Sequence, residues 1–145
     1  MTTYKLPISV LVVIYTRDNK VLLLERRDHP GYWQSVTGSC QLGETLPETA
    51  HREVLEETGL DTHRYVLADW NMHNEYEIYS EWRHRYEPGV VRNKEHVFGL
   101  ELPETCPVQL NPREHLAFQW LTVEQAARAV FSPSNKAAIE QLAQR

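Results

Sequence analysis

Apolar residues in this chain alternate with polar ones in some stretches and recur at helical spacing in others, which separates predicted strands from predicted helices. Two apolar runs near the start, 7–15 and 21–26, flank the polar turn 17–20. They predict two strands of a buried hairpin. Further β-rich stretches predict a strand region over 64–86, a turn at 87–89, a strand over 95–101 and a short strand over 117–121.

The stretch from 46 to 58 has the clearest helix signals in the sequence. Thr45 and Glu48 have the spacing of a capping box, Pro47 falls in the first turn, and Gly59 suits the left-handed position after the last turn. The stretch between residue 26 and Thr45 is expected to be irregular. Two more helices are predicted, over 123–130 and 135–143. Strands on both sides of a central helix, followed by more helix, indicate an α/β fold with a mixed sheet packed between helices.

The composition is that of an ordinary globular chain. Its 145 residues, 41% hydrophobic and 24% charged, argue for one domain over 1–145. The formal net charge of −5 argues against broad nucleic-acid binding. No apolar run reaches the roughly 18 residues of a membrane span. Cys40 and Cys106 fit neither a disulfide framework nor a zinc cluster, so they are interpreted as reduced thiols of a cytoplasmic protein.

The predicted central helix is unusually acidic on one side. At helical spacing, Glu53, Glu56 and Glu57 fall within an arc of about 100°. Arg52 can hold one of these carboxylates, and Glu44 can join the group from the preceding loop. On these residues alone, two interpretations stand. One is a solvated surface helix, and the other is a site for a hard cation such as Mg²⁺, which prefers carboxylate, water and phosphate oxygens.

The spacing of the segment from Gly38 to Leu60 decides between them. It reads G-x5-E-x7-R-E-U-x-E-E-x-G-U, where U is aliphatic. Every defined position matches the Nudix box, so the chain resembles the Nudix hydrolases. Ser39 and Gln41 depart from the commonest form of the box, at positions outside the strict pattern. The resemblance implies an α/β/α sandwich and the magnesium- or manganese-dependent hydrolysis of nucleoside diphosphates linked to another group.

The same resemblance implies roles for the acidic residues of the box. Glu53 and Glu57 would bind the metal ion, and Glu56 would act beside them as a ligand or proton acceptor. Arg52 would orient the carboxylates. Glu44 would support the junction of loop and helix or reach a second metal through water.

Stretches outside the box resemble one bacterial subgroup of the family, whose members convert 7,8-dihydroneopterin triphosphate to the monophosphate and pyrophosphate in folate biosynthesis. These stretches are 26–28, 32–38, 83–90, 114–120 and 134–140. Related members also hydrolyse dATP. The resemblance implies that Glu114 completes the metal site from a loop, and the alternative is an exposed glutamate beside Arg113.

The triphosphate and the pterin ring need further contacts. Six residues are predicted to contact the substrate: Lys5, Arg26, Thr37, Tyr76, Tyr79 and Ser132. Alternation along a strand over 76–79 puts its two tyrosines on opposite faces, so only one of them is expected to face the site. The alternatives are that Lys5 belongs to a frayed terminus, that Ser132 only shapes a turn, and that the tyrosines only pack in the sheet. The tryptophans are expected in the core, and most histidines at the surface or in hairpins.

The predicted function is therefore a magnesium-dependent pyrophosphohydrolase of a small-molecule triphosphate, with no obligate protein partner. Two alternatives stay open. One is a hydrolase of nucleotides or dinucleoside polyphosphates, for which Tyr76, sixteen residues past the box, is a weak indication. The other is a non-catalytic Nudix module, which the complete set of box carboxylates disfavours.

Overall fold

The computed structural model describes residues 4–144, which form seven β-strands and three α-helices. The strands are Ile8–Thr16 (β1), Lys20–Arg26 (β2), Trp33–Gln34 (β3), Val36–Ser39 (β4), Val66–Glu77 (β5), Arg92–Leu102 (β6) and His115–Thr122 (β7). The α-helices are Leu46–Thr58 (α1), Val123–Ala129 (α2) and Pro133–Glu140 (α3). Short 3-10 helices cover Thr62–Arg64, Ser80–Arg85 and Gln141–Gln144.

The strands form one mixed sheet in the order β3-β2-β1-β6-β5. At its centre β1 and β6 run parallel, in register from Ile8↔Lys94 to Thr16↔Leu102. The predicted hairpin of β1 and β2 is present, but the two strands pair only at Tyr15↔Val21. Beyond that pair they diverge, because β4 pairs with β1 and β3 pairs with β2. β7 covers the other edge of β2.

Apolar side chains fill both faces of this sheet. On one face, Val10 and Val12 of β1 pack with Ala50 and Val54 of α1. On the other face, the intervening residues of β1 pack with α2 and α3. Because successive side chains of a strand point to opposite faces, the apolar run over 10–14 of β1 supplies two cores at once. The predicted α/β fold, with a mixed sheet between helices, is confirmed.

Helix α1 begins and ends where the sequence predicts. The Thr45 hydroxyl accepts from the backbone N–H of Glu48, and the Glu48 carboxylate accepts from the backbone N–H of Thr45. At the other end Gly59 adopts φ 76°, and its N–H donates to the carbonyl of Leu55. Both ends of the helix are therefore satisfied by local contacts that can be identified in the sequence.

The prediction of a continuous strand region over 64–86 is wrong after Glu77. There the chain leaves the sheet and forms the 3-10 helix Ser80–Arg85. Arg83 holds this turn, because its guanidinium donates to the carbonyl of Ile78 at 2.9 Å and to the Glu77 carboxylate at 2.7 Å. The predicted turn at 87–89 therefore joins a 3-10 helix to β6, not two strands.

Smaller differences concern short or terminal elements. The stretch before Thr45, expected to be irregular, contains β3 and β4, which are too short to show alternation. The strand predicted over 95–101 begins three residues earlier, at Arg92, and the last helix begins at Pro133 and gives way to a 3-10 turn after Glu140. None of the helices within residues 4–144 has the length and apolar character needed to cross a bilayer.

Candidate active site

Helix α1 packs against β1 and β4, which places its acidic side chains beside the backbone of β4. Gly38 of β4 lies opposite Val10 of β1. A Cβ added at Gly38 would overlap the carboxyl group of Glu53. Only glycine therefore lets the strand and this carboxylate come so close, and Glu53 is held directly against the strand.

The guanidinium of Arg52 joins α1 to the loop before it. It donates to both carboxylate oxygens of Glu44 at 2.8 and 3.0 Å, to Glu53 Oε1 at 2.7 Å and to the Ser39 carbonyl at 3.0 Å. The hydrogen bonds from Arg52 lower the pKa of Glu44 to about 2, and the Thr49 hydroxyl adds a further bond at 2.7 Å. Arg52 is therefore placed to orient the carboxylates around it.

Glu57 is buried, with only 1% of its surface exposed. Its Oε1 atom has no hydrogen-bond partner within residues 4–144 and lies 3.6 Å from Nε2 of His115. Burial, and then the neighbouring carboxyl of Glu53, raises the pKa of Glu57 well above its ordinary value. A buried carboxyl oxygen without a donor is costly unless a proton or a cation meets it.

Glu114, just before β7, and His115, its first residue, form a group with Glu57. One ligand atom of each of the three lies within 4.8 Å of the other two. Burial and the charge of Arg26 lower the pKa of His115 to about 4, so its ring is neutral at neutral pH. Carboxylate oxygens and a neutral imidazole are donors that divalent cations accept. The donor set, with its unpartnered Glu57 oxygen, fits a bound divalent cation.

These side chains line one end of a cleft of about 1360 Å³. The cleft is also lined by all the predicted metal ligands and substrate contacts: Glu53, Glu57, Glu114, Lys5, Arg26, Thr37, Tyr76, Tyr79 and Ser132. Glu56 is not among the residues that line it. Its side chain is 51% exposed, and its carboxylate lies 3.4 Å from Nη1 of Arg52. Glu56 therefore stands at the solvent side of the carboxylate group.

Arg26 and Lys5, the two basic residues among the predicted substrate contacts, are held in different ways. Arg26 donates to both oxygens of Asp28 at 2.8 Å and to Gln34 at 2.9 Å, and its guanidinium carbon lies 4.6 Å from the centre of the Trp82 ring. The backbone N–H of Lys5 donates to the carbonyl of Arg85 at 2.9 Å. Desolvation in the cleft, together with the charge of Arg85, lowers the pKa of Lys5. Arg26 is thus held at the cleft by its side chain and Lys5 by its backbone.

Both predicted tyrosines line the cleft, contrary to the alternation argument. Alternation fails because β5 ends at Glu77, so the chain has turned before Tyr79. The ring centre of Tyr79 lies 5.2 Å from that of Trp82 and 6.3 Å from that of Phe131. Trp82 is expected in the core, but it lines the cleft beside Tyr79. The hydroxyl of Tyr76 accepts from Asn93 at 3.1 Å.

The two hydroxyl side chains make local contacts. Thr37 accepts a hydrogen bond from Gln34 at 3.4 Å, which connects it through Gln34 to Arg26. Ser132 caps α3 by accepting from the backbone N–H of Asn135, and its oxygen lies 2.9 Å from that of Ser134. Ser132 therefore shapes the turn, as the alternative interpretation has it, and also lines the cleft.

Sequence reasoning missed several polar residues of the site. Most histidines are expected at the surface or in hairpins, yet His115 is buried beside Glu57. Asn74, Asn93 and Glu95 lie on the cleft face of β5 and β6. The sequence gives no signal that singles them out, because residues 92–96 are all polar and the apolar part of β6 begins only at Val97.

The chain is similar to known proteins over almost its whole length. A NUDIX domain family model matches residues 5–142. The dihydroneopterin triphosphate diphosphatase of Escherichia coli K12 is 50% identical over 141 residues, which cover 95% of this chain and 93% of that protein. Its counterpart in Haemophilus influenzae is 43% identical over 144 residues, with coverage of 97% and 89%.

The solved structure of the E. coli dihydroneopterin triphosphate pyrophosphohydrolase is similar in fold as well. It superposes with a TM-score of 0.91 at 49% sequence identity, over 97% of each chain.

Proposed function

The chain belongs to the Nudix hydrolase family, and we propose that its own substrate is 7,8-dihydroneopterin triphosphate. Hydrolysis would release the monophosphate and diphosphate, as a step of folate biosynthesis. The E. coli and H. influenzae relatives carry this activity in their names, and their likeness spans the cleft as well as the box. The observation that carries the proposal is that a single cleft is lined by the carboxylates at one end and by aromatic and polar side chains elsewhere.

Nudix hydrolases generally use divalent metal ions, and we propose that Mg²⁺ is the ion here, with Mn²⁺ able to substitute. Glu53, Glu57 and Glu114 would hold it, because the first two face each other in the cleft and the third shares a ligand group with Glu57. The unpartnered oxygen of Glu57 supports this assignment. A bound divalent cation lowers the pKa of water and neutralises phosphate charge.

Arg52 and Glu56 are two further charged residues at this end of the cleft. We propose that one holds the carboxylates in place and that the other accepts a proton. Arg52 holds Glu44 and Glu53 in place through direct hydrogen bonds. We assign Glu56 as the proton acceptor. Its carboxylate opens to solvent, where the proton can leave, and Arg52 links it to the carboxylates inside the cleft.

The substrate contacts divide by chemistry. Lys5 and Arg26 would stabilise negative charge on the phosphates and on the departing diphosphate. Thr37 and Ser132 would donate hydroxyl hydrogen bonds from the cleft wall. The proposed ring contacts are Tyr76 and Tyr79.

The remaining features of the proposal concern the whole molecule. We treat residues 1–145 as one Nudix domain, because the family model matches nearly the full length. The free thiols of Cys40 and Cys106 support a reducing compartment, the cytoplasm. The net charge of −5 supports a small-molecule substrate over nucleic acid, and nothing in the proposed reaction requires a protein or membrane partner.

A substrate panel tests this proposal. The purified protein is incubated with Mg²⁺ and dihydroneopterin triphosphate, dATP, ADP-ribose or diadenosine tetraphosphate, and kcat/KM is compared. We expect the pterin triphosphate to exceed every nucleotide by at least roughly tenfold, which corresponds to about 1.4 kcal/mol. Chelation of the metal should abolish turnover of all four. A nucleotide preferred over the pterin would overturn the substrate while leaving the family unaffected.

A further inference from the structure

Two histidines and an aspartate lie together where helix α1 meets the 3-10 helix that follows it. His51 comes from the middle of α1, Asp61 caps the 3-10 helix, and His63 lies within that helix. One ligand atom of each of the three lies within 4.8 Å of the other two. We call these three residues the outer cluster. Two separate elements thus bring three side chains that can bind a metal ion to one point.

The outer cluster is separate from the cleft. His51 precedes Glu53 by two positions, so their side chains lie about 200° apart around the helix. None of the three residues of the outer cluster is among those of 4–144 that line the cleft. An ion bound to the outer cluster would therefore not occupy the place of the substrate or of an ion at Glu57.

Local contacts orient the side chains of the outer cluster. Nδ1 of His51 lies 2.7 Å from the hydroxyl oxygen of Thr62, which is buried. The carboxylate of Asp61 accepts from the backbone N–H of His63 at 3.0 Å, and its Oδ1 lies 3.3 Å from Nδ1 of His63. The ring centres of the two histidines lie 4.1 Å apart. Hydrogen bonds that fix the orientation of histidine and carboxylate ligands support metal sites in this way.

The outer cluster is open to solvent and has the donors of a transition-metal site. The side chain of His63 is 75% exposed and that of Asp61 is 47% exposed, so an ion can enter with its water. Two imidazoles and one carboxylate suit Zn²⁺ and similar ions, whereas Mg²⁺ prefers oxygen ligands alone. The donor set therefore distinguishes the outer cluster from the carboxylates of the cleft.

We propose that the outer cluster binds a divalent transition-metal ion of the class of Zn²⁺, with one donor each from His51, Asp61 and His63 and with water in the remaining positions. The ion would connect the middle of α1 to the segment that follows it. Because the two elements meet only in the folded chain, the ion would stabilise the fold around the helix that carries Glu53 and Glu57. The inference does not depend on which triphosphate the protein hydrolyses.

The test is a calorimetric titration of the metal-free, full-length protein with Zn²⁺ in excess Mg²⁺, which competes for the carboxylates of the cleft. Since the site has three protein ligands and not the four of a structural zinc centre, we expect a Kd on the order of 1–10 µM. His63→Ala should weaken Zn²⁺ binding at least roughly tenfold. Asp61→Asn should weaken it too, although asparagine keeps the cap of the 3-10 helix.

The matched control is His73→Ala. His73 is an exposed histidine of β5 whose ring centre lies 5.9 Å from that of His96, but within residues 4–144 it belongs to no group of three metal ligands. This variant should bind Zn²⁺ as the unaltered protein does. Thermal unfolding gives a second readout, because Zn²⁺ at about 100 times its Kd should raise the midpoint by roughly 5–10 °C in both of these proteins. In His63→Ala the midpoint should change little.

Three outcomes would overturn the inference. The first is equal Zn²⁺ affinity of His63→Ala and the unaltered protein. The second is an equal loss in His63→Ala and His73→Ala, which would indicate general binding to surface histidines. The third is Zn²⁺ binding that only Glu57→Gln removes, which would place the ion in the cleft.

The inference and the proposed function fail in different measurements. Hydrolysis of dihydroneopterin triphosphate with Mg²⁺ should be unchanged in His63→Ala, Asp61→Asn and His73→Ala, since none of these residues lines the cleft. A wrong substrate would leave the Zn²⁺ titrations as expected. A protein that binds no Zn²⁺ at the outer cluster would leave the substrate panel as expected and would refute the metal site.

Discussion

The two ends of the cleft are built in opposite ways. The carboxylate end comes from one contiguous segment, in which Arg52 ties the loop residue Glu44 to the helix residue Glu53. The other end, with Ser9, Asn74, Asn93 and Glu95, comes from three separate strands. Among the described residues 4–144, no ion pair involves Glu95. The first end is dense in paired charges, whereas the second has one buried carboxyl among neutral side chains, of which Asn74 Nδ2 and Asn93 Oδ1 have no partner within residues 4–144. The difference indicates that the proposed chemistry belongs to the first end and the proposed contacts with the substrate ring to the second.

Among the substitutions at the carboxylate end, Glu57→Gln is expected to cause the largest loss of activity. It keeps the volume of the side chain but removes a charged ligand, so kcat with saturating substrate should fall on the order of 10³-fold for every triphosphate, about 4 kcal/mol. The measurement is kcat against Mg²⁺ concentration. Full turnover at limiting Mg²⁺ would contradict the metal assignment.

Glu56→Gln is the matched control for that experiment. As a variant of the proposed proton acceptor, it should lower kcat without raising the Mg²⁺ concentration needed for half-maximal activity. An equal rise in the Mg²⁺ requirement of both variants would place Glu56 among the ligands.

Glu95→Gln should change how the stability of the protein depends on pH. The pKa of Glu95 is raised from 4.5 to about 7 in the folded protein, so the unfolded chain releases its proton first as the pH rises. The stability linked to the protonated group is complete below about pH 4.5 and is lost as the pH rises through about 7. Between pH 4.5 and pH 8, the free energy of unfolding of the variant should therefore rise by about 3 kcal/mol relative to that of the unaltered protein.

Urea unfolding at the two pH values measures this difference. Glu101→Gln, on the same strand, is the control. Because the carboxylate of Glu101 is partly exposed, its removal should change the pH dependence of the unfolding free energy little. A constant difference between Glu95→Gln and the unaltered protein at both pH values would show that the buried carboxyl carries no cost.

Gly38→Ala is expected to have the smallest effect of the three substitutions. The added methyl group would overlap the Glu53 carboxyl, so the carboxylate must move. Displacement of a catalytic group by about 1 Å costs on the order of 10²-fold, about 2.7 kcal/mol. The loss should appear in kcat for the pterin triphosphate, dGTP and dATP alike, with their order unchanged. Thermal unfolding checks that the variant remains folded, and a change in the order of substrates would argue against two separate ends.

The Nudix box, helix α1 and its caps could all be identified from residue spacing, because their interactions are local. Thr45 and Glu48 are three residues apart, and Arg52 reaches its carboxylate partners within eight residues. The apolar runs of β1 and β2 also predict strands reliably, since each supplies buried residues in succession. From these, the mixed sheet between helices and the acidic end of the cleft were both predictable.

The other end depends on strand register, which no local spacing in the sequence encodes. Glu95 reaches the cleft only because β6 pairs in parallel with β1, beyond the end of the apolar patch that α3 covers. Tyr79 and Trp82 reach it because Arg83 holds a 3-10 turn where the β-rich pattern predicted more strand. Long-range pairing and the balance of a few side-chain hydrogen bonds decided these positions, so only the folded chain shows them.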